Sequence, residues 1–337
     1  MKQNKGIIIL KGKKALVTGA GGFIGSHLVE ALLEKGADIR AFVKYNGRGD
    51  WGMLSDLPSQ SQKSIEVIAG DIRDPFFVRK AVGGCDYVFH LAALIGIPYS
   101  YAAPSDYISV NIQGTVNVLQ ACYDERTPLL IHTSTSETYG TAQYVPIDEK
   151  HPLQGQSPYS ASKIGADKIV ESYHKSFELP VVTVRPFNTF GPRQSARAFI
   201  PTIITQALTR DSLNVGSLTP IRDMTFVKDT AEGLIRVGLC DKVIGQVVNL
   251  GVGKGETIGT MVKVILKILG KEDMPIEHDL SRIRPAKSEV MRLISDNSVA
   301  RKVCGWQPKY SLEEGLLETV GWIKKNLDRY KPDMYEI

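Results

Sequence analysis

The first half of the chain alternates short apolar runs with longer amphipathic segments. The apolar runs predict strands at 14–18, 39–43, 65–68, 87–91, 129–134 and 181–185. Apolar positions at helical spacing predict helices at 24–35, 75–82, 107–123 and 159–177. Strands that alternate with helices in this way form a parallel sheet with helices on both faces. The pattern therefore predicts a doubly wound, Rossmann-type α/β fold.

The pattern loosens after about residue 190, where loops rich in Gly and Pro separate shorter elements. A strand at 247–250 is expected to return to the main sheet, and helices are expected at 257–269 and 312–326. This part of the chain has too few apolar runs to bury a core alone. We therefore expect a dinucleotide-binding domain at 13–190 and a smaller substrate-binding lobe at 191–330, with the substrate in the cleft between them.

Composition narrows the class of protein without identifying it. The 337 residues, 43% hydrophobic and 23% charged, are ordinary for a soluble globular enzyme. Five lysines in the first fourteen residues contribute to the net charge of +5. We interpret them as a solvated lead-in to the first strand, so we expect no nucleic-acid partner. The mild positive balance also suits a substrate that carries two phosphates.

The four cysteines, Cys85, Cys122, Cys240 and Cys304, are widely scattered, with no Cys-x-x-Cys pair. This spacing argues against a metal site and against a disulfide framework, and it favours a reducing cytoplasm. No apolar run has the length of a signal-peptide core or a membrane span. We expect a cytoplasmic protein with no bound metal and no membrane partner.

A glycine-rich turn follows the first predicted strand and opens the first helix. It reads Thr18-Gly-Ala-Gly-Gly-Phe-Ile-Gly25. Gly19 and Gly22 let the backbone turn and approach a pyrophosphate, and Gly25 lets the helix lie close to the sheet. The helix amino terminus adds unpaired amides for the phosphates. The turn therefore predicts a dinucleotide site.

The end of the second strand lacks the acid with which many NAD-binding proteins hold the adenosine ribose. It ends in Val43 and Lys44 instead, and Asp38 lies at the wrong end of the strand. A lysine here favours a 2′-phosphate and hence NADP. An NAD site that forgoes this contact remains the alternative.

Tyr159 and Lys163 lie four residues apart in a predicted helix, which places both on one face. A nearby ammonium, together with the positive charge of a nicotinamide, lowers the pKa of a phenol and allows it to act as a base. The pair therefore predicts hydride-transfer chemistry with Tyr159 as the base.

The fifth predicted strand ends in Ser134-Thr135-Ser136-Glu137. The carboxyl ends of strands face the ligand crevice in open α/β sheets. Thr135 can hydrogen-bond the hydroxyl group that Tyr159 deprotonates. Glu137 is informative because plain hydride transfer needs no carboxylate here, although a surface glutamate is the alternative.

Three residues of the second half are candidates for binding the substrate. Asn188 lies in a rigid loop after the sixth strand and can contact a phosphate or a sugar. Arg222 and Arg284 can clamp a diphosphate through their guanidinium groups. A surface ion pair is the alternative for either arginine.

Together these motifs resemble the NAD-dependent epimerase/dehydratase family of extended short-chain dehydrogenases, from about residue 13 onward. The resemblance rests on the glycine turn, on the tyrosine–lysine pair and on the runs 90–93, 185–192 and 222–229. The run 134–140 is similar to that of GDP-mannose 4,6-dehydratases, and UDP-glucuronate decarboxylases share much of it. Ser136 departs from the Asp that dTDP-glucose dehydratases carry, which puts a separate acid at this position in doubt. The runs 97–101, 140–159 and 191–197 look like the sugar-nucleotide 4,6-dehydratases of legionaminic acid biosynthesis.

The resemblance implies a tightly held NADP or NAD that is regenerated in each turnover, and a nucleotide-sugar substrate. It implies a homodimer through a bundle of helices 107–123 and 159–177. It also implies that Tyr99 lines the hexose pocket and that Ser100 contacts the hexose. The implied catalytic residues are Tyr159, Lys163, Thr135, Glu137 and Ser136. The implied cofactor contacts are Gly19, Gly22, Phe23, Ile24, Gly25, Lys44, Asp71, Ile72, Leu91, Ala92, Ala93, Tyr159 and Lys163.

The expected reaction is 4,6-dehydration of a GDP- or UDP-linked N-acetylglucosamine to a 4-keto-6-deoxy sugar nucleotide. In this reaction Tyr159 takes the C4 hydroxyl proton and Glu137 takes the C5 proton. Without an Asp at 136, Glu137 also protonates the departing C6 hydroxyl. A UDP-glucuronate decarboxylase and a 4-epimerase share the first oxidation and remain the alternatives.

Overall fold

A parallel seven-stranded sheet forms the centre of the molecule, as seen in a computed structural model that describes residues 10–279 and 288–330. Its strands are β1 (Lys14–Thr18), β2 (Asp38–Lys44), β3 (Ile65–Gly70), β4 (Tyr87–His90), β5 (Leu129–Thr133), β6 (Val181–Pro186) and β10 (Val247–Leu250). They run in the order β3-β2-β1-β4-β5-β6-β10, and every pairing is parallel. The predicted doubly wound fold is confirmed.

Helices cover both faces of this sheet. Those of the first half are α1 (Phe23–Glu34), α2 (Ser59–Lys63), α3 (Pro75–Val82), α4 (Ile97–Ala102), α5 (Pro104–Tyr107), α6 (Gly114–Asp124) and α7 (Pro158–Phe177). Those of the second half are α8 (Phe199–Thr209), α9 (Val227–Gly238), α10 (Ile258–Leu269), α11 (Ser298–Lys302) and α12 (Leu312–Lys325). Within the two described ranges, no helix is long and apolar enough to cross a membrane.

Each face of the sheet has its own buried apolar cluster. Leu28 of α1 and Leu234 of α9 pack with the strands on one face. Val78 of α3, Leu119 of α6 and Val170 of α7 pack on the other. Strand β10 pairs with β6, so this part of the chain after residue 190 returns to the main sheet. The division into domains at residue 190 stays a prediction.

The rest of the second half forms a smaller body beside the carboxyl ends of the strands. Its strands are β7 (Asn188–Phe190), β8 (Leu213–Val215), β9 (Ile221–Phe226), β11 (Gly255–Thr257), β12 (Ile276–His278) and β13 (Arg292–Leu293). Its buried cluster includes Phe190, Ile203, Phe226, Val262 and Leu316, and α8, α10 and α12 pack into it. The expectation that this half has too few apolar runs for a core of its own is therefore wrong.

The predicted helix at 107–123 is not continuous. A π-helical turn, Ile108–Gln113, separates α5 from α6. In this turn the buried Asn111 accepts from the amide of Leu94 (2.8 Å) and donates to the carbonyl oxygen of Leu94 (3.0 Å) and to Ser162 Oγ (2.9 Å). The turn therefore ties the segment after β4 to α7, a bridge that the apolar pattern did not predict.

Candidate active site

The turn between β1 and α1 forms a cradle that only glycine can line. Gly19 has a φ of +70°, and a Cβ there would lie 2.8 Å from the amide nitrogen of Ala92. A Cβ on Gly25 would lie 2.2 Å from the carbonyl oxygen of Gly19. Helix α1 begins after Gly22 with no side-chain cap, which leaves its first amides to an anion. These features fit the pyrophosphate of a dinucleotide. The next residues of α1 are half-buried against the smaller body: Phe23 and Ile24.

The segment after β4 forms the second wall of this cradle. The hydroxyl oxygen of Thr18 accepts from the amides of Leu91 (3.1 Å) and Ala92 (3.2 Å). Because Ala92 also lies against Gly19, the segment through Ala93 runs directly beside the glycine turn. Three predicted cofactor contacts therefore lie at the same crevice, between β1 and β4, where the strand order reverses.

Charged residues surround the place expected for the adenosine. Lys44 is exposed at the end of β2, and Asp71 directly follows β3. Arg73 binds the carboxylate of Asp71 through Nη2 (2.5 Å) and Nε (2.9 Å). These hydrogen bonds lower the pKa of Asp71 to about 2, and the charge of Lys44 adds to the effect. The neighbouring Ile72 is buried against Gly114 of α6.

Helix α7 presents the predicted tyrosine and lysine from one face. Ser157 caps the helix by accepting from the amide of Ser160 (3.1 Å). Tyr159 and Lys163 follow in the first two turns and are only 7% and 3% exposed. The ammonium of Lys163 donates to the carbonyl oxygen of Thr133 at the end of β5 (2.9 Å). Burial lowers the pKa of Lys163 to about 8.

The loop after β5 brings three further candidates to Tyr159. Thr135 caps a short 3₁₀ turn, and its hydroxyl oxygen accepts from the amide of Glu137 (3.2 Å). Burial raises the pKa of Tyr159, a hydrogen bond with Thr135 lowers it, and the negative charge of Glu137 raises it. Ser136 is buried between them at 2% exposure. Burial is the largest of these effects, so the pKa of Tyr159 lies above its ordinary value, and the lowering that we expected from Lys163 is not found.

An aromatic wall stands beside Tyr159. Tyr107 meets it edge-on, with 6.2 Å between the ring centroids, and Tyr99 lies 6.1 Å beyond Tyr107. Tyr107 donates to the carbonyl oxygen of Gly96 (2.5 Å), which fixes its ring. The predicted pocket residue Tyr99 thus belongs to this wall. Tyr107 was not predicted as a site residue, because the apolar spacing around it indicated only a helix that packs on the sheet.

Ser100 and Asn188 differ in how their polar groups are used. Ser100 is fully buried, and its hydroxyl donates to the carbonyl oxygen of Ile97 (2.6 Å). Asn188 begins β7, and its Oδ1 atom is buried with no hydrogen-bond partner among the described residues. A buried polar atom of this kind is usually satisfied by a partner, so Asn188 fits a ligand contact.

Arg222 lies on β9, the strand that pairs with β7. It is 7% exposed, and its Nη2 atom lies 3.1 Å from Oε1 of Glu289. The ion pair that the sequence left as an alternative is therefore formed. The other predicted clamp, Arg284, lies outside the described residues.

A buried polar network behind Lys163 was also missed. Asp167, one turn further along α7, binds Ser134 and Arg185 and lies beside His132. The only signal in the sequence was the four-residue spacing from Lys163, which places the acid Asp167 on the same helical face as Tyr159 and Lys163. Strand residues that are distant in sequence complete the network, so the pattern could not reveal it.

The fold and the site together define an extended short-chain dehydrogenase. A doubly wound sheet places a glycine cradle, a tyrosine–lysine pair and a threonine–glutamate pair at one crevice. This is the arrangement of a nicotinamide-dependent enzyme that acts on a hydroxyl group.

The chain belongs to the GDP-mannose 4,6 dehydratase family, which it matches over residues 16–319. It is thus an NAD-dependent enzyme of nucleotide-sugar chemistry. It is 32% identical to the low-salt glycan biosynthesis protein Agl12 of Haloferax volcanii, over 89% of this chain and 95% of that protein.

Two solved structures share its fold. DesIV, a dTDP-glucose 4,6-dehydratase of Streptomyces venezuelae with NAD and TYD bound, is 28% identical, with a TM-score of 0.84, over 95% of this chain and 99% of that one. The second is a UDP-N-acetylglucosamine 4-epimerase of Methanobrevibacter ruminantium in complex with UDP-N-acetylmuramic acid. It is 30% identical, with a TM-score of 0.85, over 94% of this chain and 99% of that one.

Proposed function

We propose that this enzyme is a nucleotide-sugar 4,6-dehydratase. The observation that carries the proposal is the position of Glu137, whose amide donates to the hydroxyl oxygen of Thr135 (3.2 Å), the residue that hydrogen-bonds Tyr159. Oxidation and reduction at C4 need only one base. A second acid–base group beside the first suits a reaction that also breaks the neighbouring C5–H bond.

Tyr159 removes the proton of the C4 hydroxyl, and Thr135 orients that oxygen by hydrogen bonding. The glycine cradle would hold the pyrophosphate of a nicotinamide cofactor, and that cofactor would supply reversible oxidation of the substrate. Lys163 holds the ribose of the cofactor and the phenol in position. The 4-keto group that results makes the C5 proton acidic.

Glu137 then removes the C5 proton and protonates the C6 hydroxyl as it leaves as water. Ser136 cannot supply a separate acid because its hydroxyl does not ionise near neutrality. The same carboxylate therefore serves as base and then as acid. Loss of water leaves a C5–C6 double bond. A hydride delivered to C6 and a solvent proton taken up at C5 would then complete the 4-keto-6-deoxy sugar nucleotide.

We infer that the substrate is an N-acetylglucosamine linked to GDP or UDP, as the resemblance to dehydratases of legionaminic acid biosynthesis implies. The unpartnered Oδ1 of Asn188 supports a polar contact to it. Arg222 is the candidate for binding the diphosphate, which would replace Glu289 as the ion-pair partner of its guanidinium group. The four free cysteines support a cytoplasmic location.

A homodimer through α6 and α7 is part of the proposal. Two large aromatic side chains on this surface, Tyr123 of α6 and Phe177 of α7, are 46% and 50% exposed. The rings of Tyr123 and Phe177 lie 5.4 Å apart and bridge the ends of the two helices. Exposed apolar groups in such a cluster are typical of an interface.

The test follows the C5 proton. The wild-type enzyme is given UDP- and GDP-N-acetylglucosamine in heavy water, and the products are analysed by mass spectrometry and NMR. A dehydratase yields a 6-deoxy product with deuterium at C5. Glu137→Gln keeps the shape of the side chain and removes the basic site, so it should lose product formation while reduced cofactor accumulates.

Glu272→Gln, in an exposed turn after α10, is the matched control and should leave the rate unchanged. If Glu137→Gln makes product at the parental rate, or if the wild-type product lacks deuterium at C5, the dehydratase assignment is wrong. A product that keeps its C6 hydroxyl and is inverted at C4 would establish the second candidate, a 4-epimerase. The similarity to the Methanobrevibacter epimerase favours that alternative.

A further inference from the structure

Asp167 is the centre of a buried network directly behind the catalytic pair. It lies one turn beyond Lys163 on α7 and is 6% exposed. Its carboxylate accepts from Ser134 Oγ (2.8 Å) and from Nε (3.1 Å) and Nη2 (2.8 Å) of Arg185, and Nε2 of His132 lies 3.2 Å away. Burial alone would raise its pKa, but the contact with His132 and the charges of Arg185 and Lys163 lower it. Asp167 is therefore a buried anion.

Several titratable or charged groups surround Lys163. They are Tyr159 and Asp167 on α7, His90 on β4, His132 on β5, Arg185 on β6, Glu137 after β5 and Tyr107 on α5. Burial lowers the pKa of His132 to about 4 and lowers that of His90 well below its ordinary value, so both rings are neutral at pH 7. Among these groups, Asp167 is the charge that favours the ammonium form of Lys163.

We propose that Asp167 is a positioning residue that holds Lys163 as an ammonium ion beside Tyr159. The proposal rests on the proposed function only in that Tyr159 is the base of the C4 oxidation. Taking an ammonium out of water favours its neutral form, and a carboxylate one turn away opposes this. Arg185 binds Oδ2 of the carboxylate through two nitrogen atoms, which favours the ionised form of Asp167.

The sign of the effect follows from the two opposing influences. Burial lowers the pKa of Lys163 from 10.5 to about 8, so the ammonium predominates at pH 7 and is lost as the pH rises through 8. Without the charge of Asp167, the titration midpoint should fall by about one pH unit or more. At pH 7 about half of the molecules or more would then carry a neutral lysine.

The midpoint can be measured without turnover. The protein is labelled with ¹³C at lysine Cε and saturated with NAD⁺, and the Lys163 signal is assigned by its loss in Lys163→Arg. Asp167→Asn keeps the shape and removes the charge, and its Lys163 signal should titrate at lower pH. Ser134→Ala is the matched control, because it removes one donor to the carboxylate and keeps the anion.

Asp167→Asn leaves the buried Arg185 without a counter-charge, which destabilises a fold. The double variant Asp167→Asn/Arg185→Gln removes both charges and keeps the measurement possible if the single variant does not fold. The proposal is wrong if the variants lacking the carboxylate titrate at the wild-type midpoint. It is also wrong if Ser134→Ala shifts the midpoint as far as they do.

The pH dependence of kcat/KM gives a second readout. The alkaline limb should move to lower pH in the Asp167→Asn variants and return in Asp167→Glu, which restores the charge. A merely structural role would lower the rate at every pH and leave the limbs in place, and that result would overturn the proposal. If the Lys163 midpoint shifts but no 6-deoxy product is found, the dehydratase assignment fails and the role of Asp167 stands.

Discussion

Replacement of Gly25 by alanine tests whether the cofactor cradle depends on close contact between α1 and the glycine turn. The added Cβ would lie 2.2 Å from the carbonyl oxygen of Gly19, 2.9 Å from its carbonyl carbon and 3.0 Å from Cα of Ala20. All three are backbone atoms of a buried turn, so no side chain can rotate away. Helix α1 must therefore shift from the turn, and its amino terminus with it.

The magnitude combines two opposing effects. Overpacking of a close-packed site costs about 3 kcal/mol when the neighbours cannot yield. Alanine in a helix is about 1 kcal/mol more favourable than glycine. We expect Gly25→Ala to lower the free energy of unfolding by about 2 kcal/mol, or roughly 30-fold in the equilibrium constant. Cofactor affinity should fall as well, because the phosphates bind at the displaced helix end.

Urea unfolding measures the first effect, and the dinucleotide released on denaturation measures the second. Gly321→Ala is the matched control, because Gly321 lies in the exposed interior of α12 and a methyl group added there would have no atom within 4 Å. This control should gain about 0.5–1 kcal/mol. If Gly25→Ala gains stability as the control does and retains full cofactor, the cradle does not depend on this contact.

Three further predictions concern catalysis, cofactor and assembly. Tyr159→Phe should lower kcat by ~10²–10⁴-fold while substrate binding persists, because its oxygen transfers a proton; a near-normal rate in a stopped assay would remove Tyr159 as the base. The dinucleotide released from denatured protein should be NAD, and Lys44→Asp, which supplies the missing acid for the adenosine ribose, should tighten its binding; release of NADP from the wild type would refute this and favour a 2′-phosphate contact at the exposed Lys44. Light scattering should give a dimer, and Phe177→Asp should dissociate it; a wild-type monomer at micromolar concentration would rule out the interface.

Local chemistry made the cofactor cradle and the catalytic pair predictable. The glycines of the first turn and the four-residue spacing of Tyr159 and Lys163 are properties of adjacent backbone, and the structure places them at one crevice. The strands of the central sheet were predicted to within a residue or two for the same reason, since each is a short, mostly apolar run, whereas the strands of the smaller body were not predicted. Roles for these residues remain predictions that the variants above test.

Contacts between distant segments were decided only by the tertiary structure. The sequence determined the alternating βα order, and with it the parallel sheet and the edge at which its ligands bind. It did not determine that Arg185 and Ser134 would meet at Asp167, or that Tyr107 would stand against Tyr159. Nor did it predict the π-helical turn at Asn111, whose partners lie on two other segments. Periodicity records which face of an element is buried, whereas the partner of a buried polar group depends on how the elements pack.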